Sequence, residues 1–152
     1  MQTNSITCNT ERNYFFPAKE STSENEKYAN DIEASVTRFV RKLGIRPNLT
    51  GYRLLIDAMI FAVKEPKLFS SLTKEIYPVV AKKYGKDVSF VERNIRRAVN
   101  SAYEYDPERI KSIFYYAVDK PYISEVISLG VEEIRFSGRK VDWLIWNVII
   151  YF

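Results

Sequence analysis

The 152-residue chain is 46% apolar and 28% charged, the make-up of a soluble globular domain, and carries a formal charge of +4. It contains no histidine, which excludes histidine-based acid–base catalysis and histidine metal ligation. Its one cysteine, Cys8, excludes an internal disulfide and a cysteine-cluster metal site. The opening MQTNSITCNTERNYFF lacks the basic start and apolar run of a secretory signal, and no apolar run reaches the ~18–20 residues of a membrane span. With the unpaired cysteine, these features point to a cytoplasmic protein. No Gly-rich phosphate loop, Ser–His or Cys–His pair or metal-ligand spacing is present, so neither an enzyme, a metal site nor a cofactor is expected.

Residues 1–30 are polar and rich in Ser, Thr, Asn and Glu, and read as a disordered arm. Helical periodicity begins with Asp31 as a candidate N-cap. Ile32, Val36, Phe39, Val40 and Leu43 share one face, and Gly44 is the stop. YRLLIDAMIFAVKE, residues 52–65, is apolar enough for a central helix that ends before Pro66, and KLFSSL reads as a short helical turn. TKEIYPVVAKKYG, residues 73–85, gives a helix with Ile76, Val80, Ala81 and Tyr84 inward and a kink at Pro78.

After a tight link, VSFVERNIRRAVNSAY, residues 88–103, carries two stripes. Val91, Ile95, Ala98 and Ala102 form an apolar one; Arg93, Arg96, Arg97 and Asn100 form a polar one. Ser89 followed by Glu92 is the capping-box pattern that would open this helix. DPERIKSIFYYAV predicts a further helix with Asp106 as cap and Pro107 at its first position, and PYISEVISLGVEEIRF another. The tyrosines and phenylalanines fall mostly at core spacing. The domain therefore reads as all-α, a helical bundle with the organisation 1–30 arm, 31–136 helical domain and 137–152 apolar extension.

Two helices joined by a short link, the second with a basic outer face, suggest a helix-turn-helix. In that motif the second helix enters the major groove and its first turns meet base edges. The planar fork of arginine can bond guanine O6 and N7 together. The other reading of the same stripe is a solvated face with a Glu92–Arg96 ion pair. Glu92 is open to two roles, as capping residue for Ser89 or as an acceptor for cytosine N4. Ser89, Thr73 and Lys74 could bond phosphate from helix N-termini, or simply cap and be solvated.

The run SVT, LG, GY, LTK, YP, AKKY and S-x-VER-x-IR-x-A, in that order between residues 35 and 98, resembles the C-terminal effector domain of the sporulation master response regulator of endospore-forming bacteria. DKP with SEVISLGVEEIR, up to residue 135, continues the resemblance. It implies a helix-turn-helix that binds double-stranded DNA at a short promoter box as a transcription regulator, with homodimers on tandem sites. Carried over residue by residue, the DNA-contacting set is Ser89, Glu92, Arg93, Arg96 and Arg97. Phe90, Asn94 and Arg97 depart from the usual residues there, which implies an altered box. Only ~30 polar residues precede the domain, far short of a whole domain, so a receiver is expected to be lacking and a separate receiver or regulator protein is a candidate partner.

VDWLIWNVIIYF, residues 141–152, is too short to cross a bilayer and too apolar to leave in water. It is open to three fates: packing on its own bundle, burial in a dimer, or no role. The rival to a DNA-binding regulator is a helical module that keeps the fold and binds a protein.

Overall fold

The computed structural model describes residues 23–65, 67 and 71–137, and the chain divides into two compact units, 1–32 and 33–152. Residues 1–22 of the expected arm, Pro66, residues 68–70 of KLFSSL and residues 138–152 of the apolar extension lie outside the described residues. The elements in order are α1 (23–42), α2 (Thr50–Lys64), a π-helical turn (Leu72–Ile76) that runs into α3 (Tyr77–Tyr84), α4 (Val88–Tyr105), the short α5 (Pro107–Lys111) and α6 (Ile123–Ser137). Among the described residues there is no strand, and the fold is an all-α bundle.

α1 starts at residue 23, not after Asp31, which lies inside it. Residues 23–31 are almost all exposed, so polarity there is that of a solvated helix, with Glu24, Glu26 and Lys27 as good helix formers. In the second unit Val36, Phe39, Val40 and Leu43 are buried, on the expected face. Gly44, at φ 82°, ends the helix in the left-handed region, its N–H donating to Arg41 at 2.9 Å.

α2 is the central helix: Leu54, Leu55, Ile56, Ala58 and Met59 are all buried. Its last carbonyls, Ala62 and Val63, accept from the Arg135 guanidinium of α6 at 3.0 and 3.2 Å. Arg109 of α5 serves α1 in the same way, donating to Lys42 at 3.0 Å and Arg41 at 3.4 Å. These bonds satisfy carbonyls that a helix end leaves unpaired. Glu65 leaves the helical region at φ −122°, ψ 82°, as a residue before proline does.

Two glycines set how closely the helices approach. A Cβ on Gly51 of α2 would collide with the backbone oxygen of Asn94 and, at 2.7 Å, with Cβ of Ala98, so α2 lies almost backbone to backbone on α4. A Cβ on Gly130 would collide with Met59 and with Phe39, so α6 seats closely on α2 and α1.

The stretch 107–118 departs from expectation. Asp106 caps α5, accepting from Arg109 N–H at 3.1 Å, and Pro107 holds the first position. The helix nevertheless stops at Lys111. The bonds that follow, Ile113 to Ile110 and Phe114 to Lys111, are the tighter three-residue kind. Ile110 and Phe114 are buried while Tyr115 and Tyr116 face water. β-branched and aromatic residues lose rotamer freedom in a helix, and two anchors four apart do not require it to continue.

Tyrosine as a class is also corrected: among the described residues only Tyr52 and Tyr77 are buried, and Tyr105 and Tyr115 are each 80% exposed.

Candidate nucleic-acid interface

The start of α3 follows from Pro78. Proline has no N–H to give and its ring crowds the carbonyl four residues back, so the ordinary ladder cannot run through it. The turn before it widens instead, with Tyr77 N–H reaching Leu72, five residues back. The expected kink is therefore a π-helical turn. Of the expected inner face, Ile76, Val80 and Ala81 are buried; Tyr84 is not, and Tyr77 takes a core position in its place.

Tyr84 is partly exposed, and its hydroxyl donates to the Asp57 carboxylate of α2. Asp57 is only 3% exposed. Lys83 Nζ lies 3.2 Å from Asp57 Oδ2, the oxygen that also accepts from Tyr84, and Arg53 Nε lies 4.0 Å from Oδ1. A buried carboxylate needs such partners, since an unpaired one costs several kcal/mol, about 3–5 on mutation of a buried pair. Burial, then the Asp57 carboxylate, push the Tyr84 hydroxyl up, so it stays a donor. This cluster fastens the C-terminal end of α3 to the middle of α2.

Three residues, Gly85 to Asp87, join α3 to α4. Gly85 takes φ 61°; its N–H donates to Lys82 and that of Lys86 to Ala81, the paired bonds of a Schellman stop. Asp87 then opens α4. Its Oδ1 accepts Phe90 N–H at 3.0 Å and its Oδ2 the Ser89 hydroxyl at 3.0 Å. Those bonds, the Phe90 amide first, hold its carboxyl below the usual carboxylate range. The expected capping box is thus not formed. The cap lies two residues earlier, Ser89 sits within the first turn, and Glu92 is released to pair with Arg96.

α4 is 18 residues long and divides cleanly. Val91, Ile95, Ala98, Val99 and Ala102 are buried, Val91 and Ile95 completely. Ser89, Arg93, Arg96 and Arg97 are exposed, and Glu92 is partly so. Thr73 and Lys74 are exposed on the π-helical turn. Lys86 lies 5.4 Å from the ring centre of Phe90, beside the start of α4. Of the seven residues singled out from the sequence, Thr73, Glu92 and Arg96 come together along one cleft. Ser89, Arg93 and Arg97 lie on the open face of α4, and Lys74 lies outside the cleft wall.

Two residues of this region carry no signal in the sequence as read above. Asp57 is a lone acid in an apolar helix, and its nearer partners, Lys83 and Tyr84, lie 26 and 27 positions on. Tyr77 neighbours Glu92 and Arg96 only because α3 packs on α4; burial, then Glu92, push its hydroxyl up to about 12.

The described residues thus form an all-helical domain with an arginine-rich outer face on the second of two tightly linked helices. Residues 36–134, well over half of the chain, match the family described as Sporulation initiation factor Spo0A C terminal, and the chain belongs to that family. The family is a DNA-binding regulatory domain of sporulation and not an enzyme family. Among the described residues no helix is long and apolar enough to cross a membrane.

Proposed function

We propose that this chain is a sequence-specific DNA-binding transcription regulator of the sporulation type, in which α3 and α4 form a helix-turn-helix and α4 enters the major groove. The observation that carries the reading is the division of α4. Its apolar stripe is spent on the bundle, and Ser89, Glu92, Arg93, Arg96 and Arg97 are left on the opposite side, within a domain of a DNA-binding family. Arg93 is free of any carboxylate within ion-pair distance among the described residues and suits a bidentate contact to guanine. Arg96 and Glu92, held together, present a donor and an acceptor side by side. Thr73 and Lys74 reach backbone phosphate.

The test is a gel shift on promoter duplexes carrying the family's box, with a scrambled duplex as control, repeated over a salt series. Specific binding that falls steeply with salt supports the proposal, because each phosphate contact releases counterions. Equal and weak binding to both duplexes refutes it. The rival, a protein-interaction module, draws on the exposed Tyr115 and Tyr116, whose rings meet edge to face at 5.0 Å. Aromatic residues are enriched at protein interfaces. A domain that ignores DNA yet loses a partner when both tyrosines become serine would favour that rival.

A further inference from the structure

Phe90 is the third residue of α4 and falls at i, i+3 and i+7 with Arg93 and Arg97, so the three lie along one side of the helix. The two arginines are exposed and Phe90 is partly so. The buried stripe of α4 starts at Val91 and does not include it. Both polar groups of its backbone are engaged. The N–H donates to the Asp87 carboxylate at 3.0 Å, and the carbonyl accepts from the Asn94 side-chain amide at 2.8 Å. The Lys86 ammonium stands 5.4 Å from the ring centre, within the range of cation–π attraction. An apolar ring is thus held in a set place beside two arginines on the outer side of the helix. The same bonds narrow the set of readers: the Asn94 amide, a group that could pair with adenine, is turned back onto the Phe90 carbonyl.

We propose that Phe90 is a specificity-determining residue that reads a thymine through its C5 methyl, beside the base met by Arg93. The inference rests on the reading of α4 as the groove-entering helix, and assigns the base at one position of the box. A phenyl ring brings no conventional donor or acceptor, and the thymine methyl is the apolar feature that the major-groove edge of a base offers. Packing the methyl on the ring takes both out of water. The alternatives are disfavoured at the same place. Adenine and cytosine present amino groups there and guanine presents two acceptors, and an apolar ring would strip these of water without replacing their hydrogen bonds.

The test uses duplexes that the parent protein selects from a random-sequence pool, with each thymine replaced in turn by deoxyuridine, which pairs identically and lacks only the methyl. At one position the parent should lose affinity about fourfold, the worth of one methyl-sized group removed from water. Phe90→Ala should bind the unmodified duplex more weakly by at least as much, and should be indifferent to deoxyuridine at that position. In a fresh selection it should lose the thymine preference there and keep the others. 5-Bromodeoxyuridine, whose bromine fills the place of the methyl, should restore binding by the parent, and irradiation should cross-link it to Phe90. That measurement needs no variant, and decides the matter if Phe90→Ala fails to fold. The inference is overturned, with the proposed function left standing, if no thymine responds to loss of its methyl, if the response survives Phe90→Ala, or if the cross-link falls on another residue. Equal weakening of Phe90→Ala on cognate and scrambled duplexes also overturns it, and would make the ring a packing element of the link between α3 and α4. A parent that selects no sequence at all overturns the proposed function and the inference together.

Discussion

α3 and α4 are joined by three residues and built on opposite plans. α4 is regular over five turns, has a side-chain cap, and gives one face wholly to the bundle. α3 is two turns long, begins without a side-chain cap in a π-helical turn forced by Pro78, and is held at its far end by the Asp57 cluster. Under the proposed function, the difference separates two jobs. A helix that meets DNA must present several side chains in a fixed register, which a straight capped helix does. The helix before it must hold that helix at one angle, which tolerates irregular backbone provided both its ends are fastened.

The comparison makes its strongest demand on the inner face of α4. Ile95 is fully buried at mid-helix, so Ile95→Asp places an unpaired carboxylate in the core at a cost of several kcal/mol, roughly a whole domain's margin. The variant should be unfolded at room temperature by circular dichroism. A melt close to the parent's would mean that α4 is rotated from the orientation described. Next comes the fastening of α3. Asp57→Ala strips Lys83 and Tyr84 of their shared partner and should cost about 2–4 kcal/mol in urea denaturation, the lower end because Lys83 is half-exposed. If stability is unchanged, α3 is held by packing alone, and its contrast with α4 loses its main support.

Arg93→Ala touches neither job of the bundle. It should leave the melting temperature within a degree or two while reducing discrimination between cognate and scrambled duplexes by ~5–150-fold, the range for one bidentate base contact. Equal discrimination by variant and parent would take Arg93 out of the reading set and return the arginine stripe to a solvated face.

How much of this could be read in advance differs between the same two helices. The stripes of α4 were legible because a long regular helix repeats every 3.6 residues, and Val91, Ile95, Ala98 and Ala102 sample that repeat without interruption. Family membership was legible from VER-x-IR in its context. The cap was misassigned because Asp87 and Ser89 are both good caps two residues apart; only the backbone decides which of them stands outside the helix. α3 was legible up to its proline, but not in how the chain would absorb it. Tyr77 and Tyr84 look alike in sequence, yet Tyr77 is buried and Tyr84 stays partly exposed with its hydroxyl on the buried Asp57 carboxylate. Such pairings depend on which helices meet, and no local pattern carries that. The same holds for Tyr115 and Tyr116, since tyrosine serves core and surface about equally well.

The smallest expected effect concerns the cap that gives α4 its regular start. The Asp87 carboxylate is held below the usual range by the Phe90 amide and the Ser89 hydroxyl, so its folded-state value lies under the ~3.9 of an unfolded chain. A group whose value is depressed on folding contributes stability above the unfolded value and loses it as the pH falls through the folded one. Asp87→Ala should therefore melt lower than the parent at neutral pH, and the gap should stay constant down to about pH 4 and then close in stronger acid. Asp87→Asn keeps a capping oxygen but cannot titrate. It should sit between the two at neutral pH and lack the acid-dependent step. Because α4 is fastened along its whole inner face, the loss should be local, seen first as faster amide exchange at Phe90 and Val91. A gap between parent and Asp87→Ala that persists unchanged at pH 2 would show that the carboxylate charge contributes nothing. The regular start of α4 would then come from its packing on α2 through Gly51, as α3 draws its order from contacts rather than from a cap.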